Sequence, residues 1–266
     1  MKPAPGTSPQ QRPLAAIILA AGQGTRMGSG LPKVVLAVAG RPMVWWVVKA
    51  VRDAGAERIV LIIGHGADAV REVFAGDDDD IDYAVQHEQL GTGHATACAE
   101  PLLRDFDGDV VVLAGDGPLI RPRTIDAMRR RHVETGAAAT LATSVIDDPA
   151  GYGRIIRDSS GGFEAIVEHR NATEAQRSVR EIYPSYACFD ARQLFDMLAT
   201  LQPDALTGEF YVTGIPAMLR ERGRRVELVD AVPPEDVLSI NTPQQLADVD
   251  AILSRRLQAA EAESRP

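Results

Sequence analysis

The stretch LAAIILAAGQGTRMGSGLPKVVLAVAGRPM, residues 14–43, decides the fold. Ala15 to Ala20 is an unbroken apolar run of strand length, the pattern of a strand buried on both faces. The run breaks into a glycine-rich loop that carries Arg26, and Leu-Pro-Lys then sets Lys33 a short distance behind it. Met43 to Ala54 reads as a helix, stopped at Gly55. Buried strand, glycine loop and helix in this order open an α/β domain.

The pattern repeats outward from there. RIVLIIG (58–64), IDYAVQ (81–86) and DVVVLAGD (109–116) read as further strands, with ADAVREVF (67–74) and GHATACAEPLL (93–103) as helices between them. The alternation predicts a Rossmann-like, mixed and mostly parallel sheet with helices on both faces. After about Arg131 the order changes. AAATLATSVI (137–146), GRIIRD (153–158), GFEAIVE (162–168) and REIYPSYACFD (180–190) read as strands joined by turns. ARQLFDMLATL (191–201) reads as a helix, and GEFYVTGIPAMLRERG (208–223) contains another. VELVD (226–230) is a strand and TPQQLADVDAILSRRLQAA (242–260) a helix, with Thr242 as N-cap and Pro243 at its first position. The expected organisation is a disordered lead-in over 1–13 and one domain over 14–253. Its strand–helix part covers about 14–131, a small β subdomain about 132–230, and a closing strand and helix about 231–260. Residues 261–266 form a tail.

The chain has 266 residues, a formal net charge of −9 and a pI near 5.1. That balance argues against nucleic acid or an anionic membrane as the main partner. Only Cys98 and Cys188 are present, without CxxC spacing, so neither a disulfide framework nor a zinc site is expected. The proline-rich start has no apolar core of a signal peptide, and the apolar runs are shorter than a membrane span. The expected compartment is the cytoplasm, and the expected state a monomer or weak homodimer.

The opening loop is neither of the common phosphate motifs. Gly22 and Gly24 supply G-x-G, but Met27 stands at the third glycine position, and no Gly-Lys-Ser/Thr follows. Glycines nevertheless let a backbone present N–H groups to phosphate oxygens, and Arg26 and Lys33 could surround a polyphosphate from two sides. A surface loop with two solvated cations is the bland alternative. Asp116 follows a very apolar strand at the sheet edge where open α/β folds bind ligands. A carboxylate there suits Mg²⁺, which takes one or two protein oxygens and leaves room for substrate phosphates. Asn241 could add a second oxygen; turn and cap roles are the alternatives for both residues. The five histidines show no metal-ligand spacing.

LAAGQGTRMGSGLPK resembles the signature of sugar-phosphate nucleotidyltransferases. QHEQLGTGHA (86–95) is similar to a narrower motif, that of the uridyltransferase half of bifunctional N-acetylglucosamine-1-phosphate uridyltransferases. AGDGPLI, DDPAGYGRIIRD, AIVEHRNAT and GEFYVTGI continue the likeness in the same order, from about Leu14 to Leu253. The resemblance implies that Ala21, Gly22 and Gly24 meet the nucleotide through backbone. It implies that Gln86 reads the uracil edge and that Gln89, Gly91 and Thr92 line base and ribose. Arg26 and Lys33 would be the catalytic cations on the triphosphate and the reacting phosphates. Asp116 and Asn241 would hold Mg²⁺, and Gly153, Glu168, Tyr183, Tyr211 and Thr213 would line the sugar-phosphate pocket.

The implied reaction is transfer of UMP from UTP to N-acetylglucosamine 1-phosphate, releasing pyrophosphate. Three positions depart from the pattern. Tyr183 stands where an asparagine would meet the acetamido group, Gly117 replaces a larger apolar residue, and Gly214 replaces a frequent acidic one. All three fall around the sugar. Another acceptor such as glucose 1-phosphate therefore stays open, as does a non-catalytic sensor of UTP or UDP-sugar. The sensor would be expected to have lost Lys33, Asp116 or Asn241. The bifunctional relatives carry a second, left-handed β-helix domain with acetyltransferase activity. The chain ends before it, so no acetyl-CoA chemistry is expected.

Overall fold

Burial on both faces is what the apolar runs require, and a single sheet supplies it. The computed structural model describes residues 12–22, 30–238, 240 and 242–263. Its strands are β1 (Leu14–Leu19), β2 (Ala37–Val38), β3 (Arg41–Pro42), β4 (Arg58–Ile63), β5 (Ile81–Val85) and β6 (Asp109–Ala114). They continue with β7 (Ala139–Val145), β8 (Gly153–Arg157), β9 (Phe163–Val167), β10 (Glu181–Tyr183), β11 (Tyr186–Asp190) and β12 (Val226–Asp230). The sheet order is β5-β4-β1-β6-β11-β7-β10-β8-β9, with β12 alongside β7 and a separate β2–β3 hairpin. β5, β4, β1 and β6 run parallel, so Ile17 sits between Val60 and Val112. β11 enters antiparallel to β6, and β7 to β10 extend the sheet as the antiparallel half.

The helices are α1 (Met43–Asp53), α2 (Ala67–Glu72), α3 (Thr92–Ala97), α4 (Glu100–Leu103), α5 (Pro122–Thr135), α6 (Glu174–Arg177), α7 (Ala191–Leu198), α8 (Ile215–Glu221) and α9 (Pro243–Glu263). Alternation along β1 sorts them onto two faces. Ala16 and Ile18 join the core cluster built with α1, α2 and α5, while Ala15 and Ile17 join the cluster built with α3, α4, α7 and α8. Each large aliphatic side chain buried there is worth about 1.5–3 kcal/mol. The expected helices on both faces are thus present.

Three local expectations need correction. The helix expected over 93–103 is two, α3 and α4, because Pro101 has no N–H to bond Ala97. The strand expected over 180–190 is also two. Pro184 and Ser185 break it, and Ser185 takes a left-handed φ of 69°. The sequence reading named no element over 122–135, where α5 forms. α5 is mostly polar, so its narrow buried stripe of Thr124, Ile125, Met128 and His132 gives a weak periodic signal. The acidic run 77–80 is held by Arg52, which pairs with Asp77 at 3.0 Å and with Asp80 at 2.5 Å.

A buried polar group lies at the N-terminal end of β6, opposite the edge where the parallel strands finish. The fully buried Asp109 is 3.3 Å from Arg12 and 3.7 Å from His132 Nε2, while Arg12 also binds Asp190 at 2.9 Å. Burial pushes the His132 imidazole down to about 4 from 6.5. Burial also raises the Asp109 carboxyl, against the pull of Arg12 and Arg129. The unfolded chain therefore protonates His132 first, and this histidine withdraws stability as pH falls from 6.5 towards 4. Asp109 acts in the opposite sense: its raised value favours the fold at low pH and that gain is lost as pH rises through it. The thermal midpoint is expected to drop between pH 7 and 5, with His132→Gln removing most of the slope. An unchanged slope in the variant would exclude His132 as its source.

Candidate functional site

The parallel strands end on a cavity of about 590 Å³. On one side, β1 runs into Ala21 and Gly22, both at the cavity wall. The segment after β5 supplies Gln86, Gln89, Gly91 and Thr92, which line it too. These two segments are tied together, since Gln89 Nε2 donates to the Ala21 carbonyl at 2.8 Å. Gln86 is largely buried, and its amide donates to the Gly91 carbonyl at 3.2 Å and to His94 Nδ1 at 3.1 Å. An amide nitrogen only donates, so Nδ1 accepts and the neutral ring carries its proton on Nε2. His94 thereby orients Gln86.

Gly91 adopts φ +104°, a conformation that side-chain-bearing residues rarely take. The turn is stapled to the opposite wall: Phe210 N–H donates to the Leu90 carbonyl at 2.8 Å, and Gly93 N–H to the Phe210 carbonyl at 2.7 Å. A Cβ at Gly91 would lie 2.5 Å from the Phe210 oxygen. Gly91→Ala is expected to cost about 1–3 kcal/mol of stability from backbone strain. It should also weaken nucleotide binding; thermal unfolding and nucleotide titration check both, and a variant with wild-type behaviour would contradict this reading of the turn.

The other wall comes from the antiparallel half. Glu168 follows β9, Tyr183 ends β10, and Tyr211 and Thr213 belong to the segment leading into α8; all four line the cavity. Thr213 Oγ1 donates to Glu168 Oε1 at 2.9 Å, and the hydroxyls of Thr207 and Tyr211 are 2.9 Å apart. The Tyr183 ring is buried, and burial together with nearby Glu168 raises its phenol. Gly153 does not reach the cavity. It packs behind the wall, where a Cβ would meet Ile166 Cγ2 at 2.9 Å and Tyr183 Cβ at 3.9 Å.

Lys33 opens a short 3₁₀ turn, Lys33–Val35, that Pro32 leads into, and Asp116 lies two residues beyond β6. Their side chains form an ion pair at 2.5 Å, both lining the cavity and both mostly shielded from solvent. The pair places a cation and a carboxylate side by side at the sheet edge. Among the described residues no cluster of three or more acidic, histidine or cysteine side chains could hold a metal ion. Asp116 is nevertheless a suitable single oxygen donor for a hydrated Mg²⁺ that shares substrate phosphates. Gly24, Arg26 and Asn241 lie outside the described residues.

The sequence reading missed Arg170, Ser185 and Glu209, which also line the cavity. Arg170 and Glu209 sit inside quoted motifs, so motif position could have found them. Ser185 gave no signal, because only its left-handed backbone brings it to the wall. Arg170 lies 5.9 Å over the Tyr211 ring. Buried Arg154 reaches His169 Nδ1 at 3.2 Å and the Arg177 carbonyl at 3.5 Å, which steadies the turn bearing Glu168 and Arg170. His169 thus supports that turn and is not part of the cavity lining.

Asp116 is followed by a second charged assembly. Arg121 binds Glu235 at 2.8 Å and also Asp236, and Arg256 of α9 binds Glu235 at 2.7 Å and also Asp236. Tyr152 donates to the Val237 carbonyl at 2.9 Å. The loop after Asp116, the segment 233–238 and α9 are joined through these contacts. No helix among the described residues is long and apolar enough to cross a membrane.

Comparison with known proteins gives this geometry a family. The chain is 47% identical over 244 residues to the bifunctional protein GlmU of Geobacter sulfurreducens, and 44% identical over 242 residues to that of Brevibacillus brevis. These alignments cover 92% and 91% of the chain but only 51% and 52% of the relatives, so the chain spans about half their length. Its fold matches that of a UDP-glucose pyrophosphorylase solved with UDP-glucose, with a TM-score of 0.74 at 15% identity over 92% of this chain and 99% of that one. The mixed sheet with its flanking helices is thus the fold of that enzyme. A family model of the MobA-like NTP transferase domain matches residues 16–212, and the chain belongs to that family.

Proposed function

We propose that the protein is a uridylyltransferase that moves UMP from UTP to a sugar 1-phosphate, with N-acetylglucosamine 1-phosphate as acceptor, giving UDP-N-acetylglucosamine and pyrophosphate. One observation carries the reading. A single cavity gathers the segment Gln86–Thr92, the pair Lys33–Asp116 and the wall Glu168–Tyr183–Tyr211–Thr213. The likeness to GlmU proteins along nearly the whole chain supports the same activity.

A sugar 1-phosphate is already a nucleophile near neutral pH, so the reaction needs positioning and charge neutralisation more than a base. Its oxygen attacks the α-phosphorus of UTP, a new P–O bond forms, and the bond to pyrophosphate breaks. Gln86, fixed by Gly91 and His94, presents its amide to the base. Lys33 faces the phosphates and offsets charge on the reacting and departing oxygens, with Arg26 of the glycine loop as its partner in this task. Asp116, with Asn241, would hold Mg²⁺, which supplies further charge neutralisation when bound. Glu168 and Thr213 take the sugar hydroxyls.

The buried Tyr183 ring supports a second reading of the acceptor, since it offers no amide to an acetamido group. Pyrophosphate release with UTP, Mg²⁺ and a panel of sugar 1-phosphates tests both, with CTP and GTP as controls. Release with N-acetylglucosamine 1-phosphate upholds the first reading, and release only with another sugar moves the acceptor. No release with any pair, while UTP binds, would leave a sensor and sink the enzyme.

A further inference from the structure

His94 does not line the main cavity, yet its ring is bonded to a residue that does, Gln86. The backbone of Gln86 is tied to the end of β4, where its N–H donates to the Ile63 carbonyl at 2.8 Å. Its side-chain Nε2 donates to the Gly91 carbonyl at 3.2 Å and to His94 Nδ1 at 3.1 Å. A carbonyl only accepts, so the Gly91 bond sets the nitrogen of the amide on that side and the oxygen on the other. Both amide hydrogens are then in use, and Oε1 accepts from no donor among the described residues. Oε1 is nevertheless not sealed in the interior, as the orphaned oxygens of Asp109 are. Gln86 is only 6% exposed and lines the main cavity, so what its side chain offers there is a bare carbonyl oxygen.

The two bonds do different work. The last torsion of a glutamine side chain is soft, and one hydrogen bond leaves the amide free to swing. The second bond fixes its plane. Gly91 is held by its own backbone turn and by the contacts of that turn with Phe210. The bond to His94 is the one that depends on a side chain, carried on the first turn of α3.

We propose that His94 is a positioning residue for base selection: it holds the Gln86 amide with its oxygen towards the cavity, so that the site demands a pyrimidine with hydrogen on N3, as in uracil, and refuses cytosine, whose N3 bears a lone pair. The inference rests on the UTP-dependent transferase reading of the main cavity. A lone pair set against the pinned oxygen leaves two acceptors unpaired in a shielded site, which discriminates more strongly than a difference in size. The amino group of cytosine lies one ring position away, and a pinned oxygen cannot follow it.

The test uses UTP, CTP and 3-methyluridine 5′-triphosphate, which lacks the N3 hydrogen. Calorimetric binding with Mg²⁺ and pyrophosphate release with N-acetylglucosamine 1-phosphate are measured on the wild type, His94→Leu and His94→Asn, beside a thermal melt of each. The wild type is expected to prefer UTP to either analogue by about 100-fold in kcat/KM and in Kd. His94→Leu should cut the preference for UTP over CTP at least 10-fold, through KM and Kd for UTP, with kcat within about twofold. His94→Asn returns an acceptor oxygen near the place of Nδ1 and should keep the preference within about threefold of wild type. The inference is overturned if the wild type binds 3-methyluridine triphosphate or CTP as well as UTP, or if folded His94→Leu discriminates as the wild type does. Binding in the expected order without pyrophosphate release would instead sink the transferase reading and leave the base selection standing.

Discussion

Lys33→Ala is expected to lower kcat for pyrophosphate release about 100-fold, the equivalent of ~3 kcal/mol of transition-state stabilisation. The argument runs from charge. The described lining of the main cavity holds the carboxylates of Asp116, Glu168 and Glu209 against the cations Lys33 and Arg170. Both proposed substrates bring further negative charge into the same space. Lys33 is paired to Asp116 at 2.5 Å and mostly shielded, so its charge is held in place before substrate arrives. Removing it strips a preorganised cation and leaves Asp116 facing phosphate alone. The loss should fall mainly on kcat, because charge develops most on the departing oxygens. Lys33→Arg should recover only part of the rate, since a planar fork does not replace a compact ammonium on a short reach. Steady-state kinetics with UTP and N-acetylglucosamine 1-phosphate, beside a thermal melt to show that the fold is kept, decide the matter. A kcat within threefold of wild type would remove Lys33 from the catalytic machinery.

The two kinds of information in this chain were not equally legible. Strands buried on both faces announced themselves, because Leu14–Leu19, Arg58–Ile63 and Asp109–Ala114 are almost wholly apolar and each meets helices above and below. The polar helix Pro122–Thr135 did not, since most of its residues face water and its buried stripe is narrow. The break at Pro184–Ser185 was hidden for another reason. Both half-strands pair with β7, so the alternating pattern runs through the interruption, and only the backbone shows Ser185 turned onto the cavity wall. Of the candidate site residues, those on loops after strands line the cavity, from Ala21 through Lys33 and Gln86 to Asp116. Gly153 was misread as lining because a glycine in a motif can serve packing as well as ligand approach. Here it admits Ile166.

Asp236→Ala is the substitution with the largest expected effect on stability. Asp236 is almost completely buried and takes hydrogen bonds from both Arg121 and Arg256, so its charge is matched by guanidinium groups from two distant parts of the chain. Breaking a buried ion pair by deleting one partner costs about 3–5 kcal/mol, because the remaining charges stay desolvated. Here the cost should lie near the lower figure, since both arginines are partly exposed and keep Glu235. A loss of ~3 kcal/mol lowers the thermal midpoint of a chain of this size by roughly 10 °C. Glu235→Gln, at a half-exposed carboxylate, should cost only about 0–1 kcal/mol. The contrast matters because the two acids share the same arginines and differ mainly in burial. The consequence also reaches the site. Arg121 lies on the loop that begins with Asp116, and Asp236 lies on the segment that leads towards Asn241. α9 packs through Val249 and Leu253 on Val38, Met43 and Leu119. Loosening the junction frees two chain segments that the proposed chemistry needs held together. Asp236→Ala should therefore raise the Mg²⁺ concentration for half-maximal activity several-fold and show a matching loss in Mg²⁺-dependent thermal stabilisation by UTP. If Asp236→Ala and Glu235→Gln melt within 2 °C of each other, the buried pair is not what joins these segments.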